Sequence, residues 1–412
     1  MNYWRDSGIG PSLDPVRPII IPLALIIIIS VLSASKCFIS WRRNSATEGG
    51  SPRQTSGLYP PASQNERTRG KPTMKLCDIV LKACDMTLQF RFLDYGITNT
   101  GMSPTSRVTS AHVNLLRCIR NDPAADKDEL FQRAAAEIET IRLFFPDVRS
   151  EIVQICMAAW LSTLCTIDDI IEETEPPVVK AALNQSIEIL LGQKEVDLEV
   201  YLRPHENQVT YIMTQFRNHC SYYLSVPVAE DFLTEVTNVC QALIWELEYR
   251  QDNSNKKGLH TYLQIRARTI GIAPFFALIR HLYCPNKVKQ AAIFDLQRAV
   301  SLAAGLQNDL IGLEKDLHDN ESMNAVVVAL REMDKNASDQ SSLREATCRI
   351  LRMHNNCVEA IFRILEIWNK LEAVEISDEE FCGHVIAGFA GSHMMWCTST
   401  KRYRVTTQKL EH

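Results

Sequence analysis

Helical periodicity runs through this chain from Met74 almost to its carboxyl terminus. Apolar residues recur at three- and four-residue spacing, and prolines separate one periodic segment from the next. We find no alternating strands joined by hairpin turns, so the sequence predicts an all-α fold. The segments predicted as helices are 74–92, 108–121, 126–144, 149–172, 177–192, 206–224, 229–251, 259–282, 285–317, 321–333, 340–372 and 378–396.

Composition narrows the class of protein. With 412 residues, of which 46% are hydrophobic and 23% charged, the chain can bury a complete core. The formal net charge of −5 gives no reason to expect a nucleic-acid partner. The 13 cysteines include no CxxC pair and are expected to be reduced thiols in a cytosolic compartment. The sequence carries no indication of the oligomeric state.

The amino-terminal part differs from the rest. Residues 18–41 include a strongly apolar run and are predicted to form a single transmembrane anchor. Lys and Arg outnumber Asp and Glu after the run, which places the carboxyl-terminal side in the cytosol. The endoplasmic reticulum is the expected membrane, although the sequence does not identify the organelle. A cleavable signal peptide is the alternative, but the segment before the run carries no net positive charge.

The predicted domain organisation follows from this pattern. A tail at 1–17 precedes the anchor, and residues 42–73, rich in Ser, Gly, Pro and basic side chains, are expected to be a disordered linker. The functional domain is predicted at 74–404, followed by a short tail at 405–412.

One long apolar helix, 149–172, ends in a group of carboxylates. Asp168, Asp169 and Glu172 lie within its last turns, with Asp168 and Glu172 one turn apart on the same side. Carboxylates so close together repel one another unless cations lie between them, and hard oxygen ligands suit Mg²⁺. The alternative is an acidic helix end that faces solvent.

A second polar motif lies in the segment 285–317. Asn308, Gly312 and Asp316 recur every fourth residue and therefore share one helix face over two turns. An amide oxygen, a gap that water can fill and a carboxylate suit a cation, and the adjacent Lys315 can reach a phosphate. A solvated helix face with supporting charge pairs is the alternative.

The segment 259–282 contains Gly271 and Pro274 inside an otherwise continuous apolar pattern. We expect either a kink or a short loop between two helices there. Arg266 and Arg268 lie just before this interruption.

Taken together, these motifs resemble the class I terpene synthases, or terpene cyclases. The resemblance covers roughly Met74 to Arg404, and the run Asn320–Leu330 is also similar to the family. Gly312 stands where the family has Ser or Thr, and Asp316 stands where it has Glu. The matching motifs are DDxxE from Asp168, YLxxRxxTxG from Tyr262, NDxxGxxxD from Asn308 and WxxxTxRY from Trp396.

The resemblance implies an α-bundle with both metal motifs at the mouth of a deep apolar pocket. Asp168 would be the chief ligand of a pair of Mg²⁺ ions, with Asp169 and Glu172 nearby. Asn308 and Asp316 would hold a third Mg²⁺, with water at Gly312, and Mn²⁺ is a possible substitute. The residues expected to bind the diphosphate are Arg266, Lys315, Arg402 and Tyr403, with Arg268 as the alternative to Arg266.

The expected reaction is ionisation of a prenyl diphosphate, followed by cyclisation of the carbocation. Farnesyl and geranylgeranyl diphosphate both remain candidates for the substrate. Trp396 is the aromatic residue expected to face the cation, whereas Trp160 is expected to pack in the core. A trans-isoprenyl diphosphate synthase is the nearest alternative enzyme, although that family carries a second DDxxD motif. A squalene or phytoene synthase and a non-catalytic helical membrane adaptor are further alternatives.

Overall fold

The computed structural model describes residues 72–96, 104–120, 126–193, 208–251, 258–285, 291–370, 377–399 and 406–407. Thirteen helices and three strands lie in these ranges. The predicted all-α class is confirmed, because the helices form a bundle and the strands pack against its last two long helices.

The helices follow the predicted segments closely. The predicted segment 259–282 is divided at Gly271, and 285–317 is divided at Gly312. In chain order the helices are α1 (Ser106–Arg120), α2 (Lys127–Phe144), α3 (Glu151–Glu173), α4 (Pro176–Leu190), α5 (Gln208–Tyr223), α6 (Val226–Gln251), α7 (Leu259–Thr269), α8 (Ala273–Tyr283), α9 (Ala291–Ile311), α10 (Leu313–His318), α11 (Ala325–Glu332), α12 (Gln340–Lys370) and α13 (Asp378–Ser399).

The helix predicted at 74–92 is wrong, because this segment forms a β-hairpin. Strand β1 (Thr73–Leu81) pairs antiparallel with β2 (Met86–Asp94). Alternate residues of both strands are buried, as the period of two in a strand requires. The turn between them contains neither Gly nor Pro and includes Asp85 at a φ of 47°, so the usual hairpin signal is missing. A third strand, β3 (Thr406–Thr407), pairs with β1.

The buried apolar residues form two large clusters. The first lies among α1–α6 and α8, and continues into the first part of α9 and into α12 and α13. The second joins the hairpin to α7, α10, α11, the first part of α12 and the ends of α9 and α13. The hairpin and the helices that carry the second polar motif therefore belong to one core cluster.

The predicted membrane anchor at 18–41 and nearly all of the linker at 42–73 lie outside the described residues. Within the described ranges, α3 is the one helix that is long and apolar enough to cross a membrane. Half of its most apolar window is buried inside the fold, which is typical of a core helix.

Candidate active site

The first acidic motif lies where α3 leaves the core. Ser150 begins this helix by accepting a hydrogen bond from the backbone N–H of Val153. Asp168 and Asp169 are half-buried, and Glu172 is more exposed. All three carboxylates lie on the last turns of α3, as the sequence predicted. Their binding of a metal ion stays a prediction.

Positively charged side chains from two other helices lie close to this motif. Partial burial and the neighbouring Asp168 raise the pKa of Glu172 to about 7, whereas Lys315 and Arg250 act to lower it. Lys315 belongs to α10 and Arg250 to the last turn of α6. The end of α3 therefore lies close to the helix that carries the second motif.

Arg250 is a positively charged residue near the first motif that the sequence analysis did not single out. Its guanidinium lies 3.0 Å from Glu246 and 3.5 Å from Glu321. Burial alone would lower the pKa of Arg250, but Glu246, Glu321 and Asp168 raise it. Its side chain is 37% exposed, so part of Arg250 is accessible to solvent.

The second motif continues through the break at Gly312. The Gly312 N–H donates to the carbonyl of Asn308 at 2.8 Å, and the Asp316 N–H donates to the carbonyl of Gly312 at 3.0 Å. Asn308, Gly312 and Asp316 therefore lie on successive turns, as their spacing predicted. Gly312 has a φ of −78° and a ψ of −7°, a conformation open to any residue.

Asn324 holds the carboxylate of Asp316 in place. This fully buried side chain donates from Nδ2 to Asp316 Oδ2 at 2.8 Å and to the carbonyl of Asp309 at 2.7 Å. Its Oδ1 accepts from the N–H of Val326 and so begins α11. Burial raises the pKa of Asp316 to about 6, although the Asn324 hydrogen bond acts to lower it.

Asp309 directly follows Asn308 in the second motif, but its side chain points into the core. Its carboxylate accepts from the Tyr262 hydroxyl at 2.6 Å and from the Ala325 N–H at 3.0 Å. Arg266, expected to bind diphosphate, lies with its Nε 2.9 Å from Asp309 Oδ1. Burial alone would lower the pKa of Arg266, but Asp309 raises it above the usual arginine value. This guanidinium is thus engaged by a buried carboxylate, and its contact with diphosphate stays a prediction.

The interruption after α7 is a short loop. Gly271 has a φ of +73°, and a Cβ added there would lie 2.3 Å from a methyl carbon of Leu164 on α3. The carbonyl of Gly271 accepts a 2.7 Å hydrogen bond from the indole of Trp160, which is fully buried. Trp160 therefore packs in the core, as expected, and ties α3 to this loop. Arg268 remains exposed and lies over the ring of Trp245.

The carboxyl-terminal predictions are described only in part. Arg402 and Tyr403 lie outside the described residues. Trp396 is half-buried, and its ring makes an edge contact with Phe144 at a centroid distance of 5.6 Å. Its contact with a substrate stays a prediction.

The donor set fits divalent cations that are shared with a diphosphate. Among the described residues, no three His, Cys, Asp or Glu side chains form a closed metal cage. Both motifs instead contain carboxylates with raised pKa values, Glu172 and Asp316, whose charges a cation would stabilise. Mg²⁺ in proteins commonly binds one or two carboxylates and completes its shell with water and substrate phosphates.

Comparison with known proteins identifies the same region. Residues 159–360 match the family model described as terpene synthase family 2, C-terminal metal binding. No curated protein sequence matches the chain.

Solved structures of other proteins align with this chain at low identity, and the two with a TM-score above 0.5 share its fold. Linalool/nerolidol synthase from Streptomyces clavuligerus aligns with a TM-score of 0.52 and 14% identity, covering 73% of this chain and 99% of that one. Its complex with 2-fluorogeranyl diphosphate aligns with a TM-score of 0.52 and 15% identity, covering 71% and 98%. Aristolochene synthase from Penicillium roqueforti aligns at 0.49 and 15%, covering 74% and 99%.

Proposed function

Since residues 159–360 carry a terpene synthase metal-binding domain on a class I terpene synthase fold, we propose that this chain is a cyclase that ionises a prenyl diphosphate. Farnesyl and geranylgeranyl diphosphate are the proposed substrates, and the reaction is proposed to depend on Mg²⁺, with Mn²⁺ as a substitute. The products are a cyclic hydrocarbon and free diphosphate.

The observation that supports this proposal most strongly is the proximity of the two polar motifs. Lys315 of the second motif and Arg250 both act to lower the pKa of Glu172 in the first motif, and Arg250 lies 3.5 Å from Glu321, shortly after the second motif. We infer that cations are held between α3 and α10, which are far apart in sequence. The fluorinated geranyl diphosphate bound by the Streptomyces enzyme supports a prenyl diphosphate as the class of substrate.

The roles of the residues follow from their chemistry. Asp168, Asp169 and Glu172 would hold cations on one side, and Asn308 with Asp316 would do so on the other. Divalent ions bound there would neutralise the charge that develops on the departing diphosphate.

Arg250 and Lys315 would bind diphosphate oxygens directly, because a guanidinium and an ammonium group are the usual protein donors to phosphate. Arg402 and Tyr403 are proposed to contribute further contacts, and Arg266 would do so if it left Asp309. Trp396 is proposed to shield the carbocation by its ring face.

A direct assay tests the proposal. The full-length protein in detergent is incubated with each prenyl diphosphate and Mg²⁺, and both released diphosphate and extracted hydrocarbons are measured. We expect a hydrocarbon product that is lost when EDTA is added and in Asp168→Ala, with helical content unchanged by circular dichroism. Substantial turnover in Asp168→Ala would refute the assignment of the first motif.

The same assay separates the alternatives. A longer linear diphosphate formed on addition of isopentenyl diphosphate would indicate a chain-elongating synthase. Absence of Mg²⁺-dependent diphosphate release with every substrate would favour the non-catalytic adaptor.

We also propose that residues 18–41 anchor the enzyme in the endoplasmic reticulum membrane with its catalytic domain in the cytosol. The apolar run and the basic residues after it support this proposal. Recovery of the full-length protein in the soluble fraction after cell lysis would refute it.

A further inference from the structure

The turn of the amino-terminal hairpin touches the second metal motif directly. Glu314, which lies between Gly312 and Asp316, accepts hydrogen bonds from the backbone N–H groups of both Lys82 and Ala83. The bond from Ala83 measures 3.2 Å. One carboxylate oxygen of Glu314 thus joins α10 to the hairpin turn, which lies more than 230 residues earlier in the sequence.

Helix α10 depends on such contacts for its orientation. It has only six residues, and the break at Gly312 leaves its start without a side-chain cap. A helix this short has little stability of its own, so tertiary contacts decide its direction. Asp316 lies in this helix, and a change in direction at Gly312 would move its carboxylate relative to Asn308.

The hairpin is itself held firmly in place. Arg344 on α12 donates to the carbonyl of Cys84 at 2.8 Å, and Gln340 donates to the carbonyl of Ala83 at 2.9 Å. Farther along β2, the Asn355 side chain pairs with the backbone of Arg91 at 2.9 Å. The buried faces of both strands belong to the second core cluster. The two N–H groups that Glu314 binds are therefore fixed points.

We propose that the hairpin is a positioning element for the second metal motif and that Glu314 is the positioning residue through which it acts. Together with the hydrogen bond from Asn324 to Asp316, this contact holds α10 beyond the break and so sets the distance between Asp316 and Asn308 before any cation binds. The inference rests on the proposed Mg²⁺-dependent function, because it concerns the same site.

Two substitutions at Glu314 and one elsewhere in the fold test this role in the full-length protein. Glu314→Ala removes the acceptor, whereas Glu314→Gln keeps an oxygen in the same place. Arg280→Ala removes a buried side chain that binds Gln297 at 2.7 Å; it alters neither the hairpin turn nor α10 and is the control for a general loss of stability. Binding of Mg²⁺ with inorganic diphosphate is measured by calorimetry, together with the melting temperature, kcat and KM.

We expect Glu314→Ala to weaken Mg²⁺-dependent diphosphate binding by about tenfold, a typical effect of losing hydrogen bonds to a charged acceptor. Glu314→Gln should restore most of this affinity. Arg280→Ala should lower the melting temperature but leave the affinity within about twofold, since a general loss of stability does not change a binding constant in the folded state. The kcat of Glu314→Ala should fall more than its KM rises.

Two results would overturn the inference alone. One is wild-type affinity in Glu314→Ala, and the other is an equal loss of affinity in Arg280→Ala. If the unaltered protein showed no Mg²⁺-dependent diphosphate binding, the proposed function would fail as well.

Discussion

Glu137 is the centre of a buried ion network behind the first metal motif. Its carboxylate accepts from Arg133 Nε at 2.8 Å and lies 2.5 Å from His112 Nε2. Arg133 also donates to the hydroxyls of Ser162 and Thr166 on α3, shortly before the acidic motif. The substitution Glu137→Gln replaces the carboxylate by a neutral amide of the same size, so it imitates the protonated acid.

The expected effect follows from the pKa of this group. Burial alone would raise the pKa of Glu137, but Arg133 and His112 lower it from 4.5 to about 2. This difference corresponds to about 3 kcal/mol of stability at pH 7, and the side chain is only 13% exposed. Because the folded-state pKa is lowered, the contribution is complete above the unfolded value and is lost as the pH falls towards 2. At pH 3 roughly 1.4 kcal/mol remains.

Urea unfolding of the wild type and of Glu137→Gln at pH 7, 5 and 3 measures this contribution. The difference in the free energy of unfolding should shrink from about 3 kcal/mol at pH 7 to about half that value at pH 3. Glu139→Gln on the same helix is the control, because the Glu139 side chain is 54% exposed and its replacement should cost less than about 0.5 kcal/mol. A difference that is independent of pH, or none at pH 7, would refute the reasoning.

Three further substitutions and one control test the site and the packing behind it. Gly271→Ala should destabilise the fold by about 2–4 kcal/mol, because of its positive φ and the added contact with Leu164. Gly96→Ala, also at positive φ but in open space, should lower the melting temperature far less. Asn324→Ala should cost about 3 kcal/mol in urea unfolding and should weaken Mg²⁺ binding in calorimetry. Gly312→Ser should keep turnover or lower the Mg²⁺ concentration it requires, and complete loss of activity would indicate a steric need for Gly.

The features that the sequence predicted correctly are those with a short-range cause. The three- and four-residue spacing of apolar side chains predicted nearly every helix, because a helix must turn one face to the core. The same period placed Asp168 with Glu172, and Asn308 with Asp316, on shared helix faces. The order of the motifs predicted the resemblance to the class I terpene synthases, which the family match confirms.

The hairpin shows where a short-range pattern was misread. Cys77, Ile79 and Leu81 alternate with more exposed residues, as do Leu88, Phe90 and Phe92 in β2. The alternation is present in the sequence, but a turn without Gly or Pro hides the reversal of the chain. Its partners on α12 and α13 follow far later in the chain, so the hairpin's packing had no local signal.

The sequence by itself determined the helices, the two polar motifs and the face of the helix on which each motif lies. Only the tertiary structure decided that Arg266 turns inwards to Asp309, that Asn324 holds Asp316 and that Arg250 pairs with Glu321. The physical reason is that the direction of a polar side chain depends on which opposite charge or hydrogen-bonding partner lies nearest in space. That neighbour comes from another helix, and its distance is set by packing rather than by spacing along the chain.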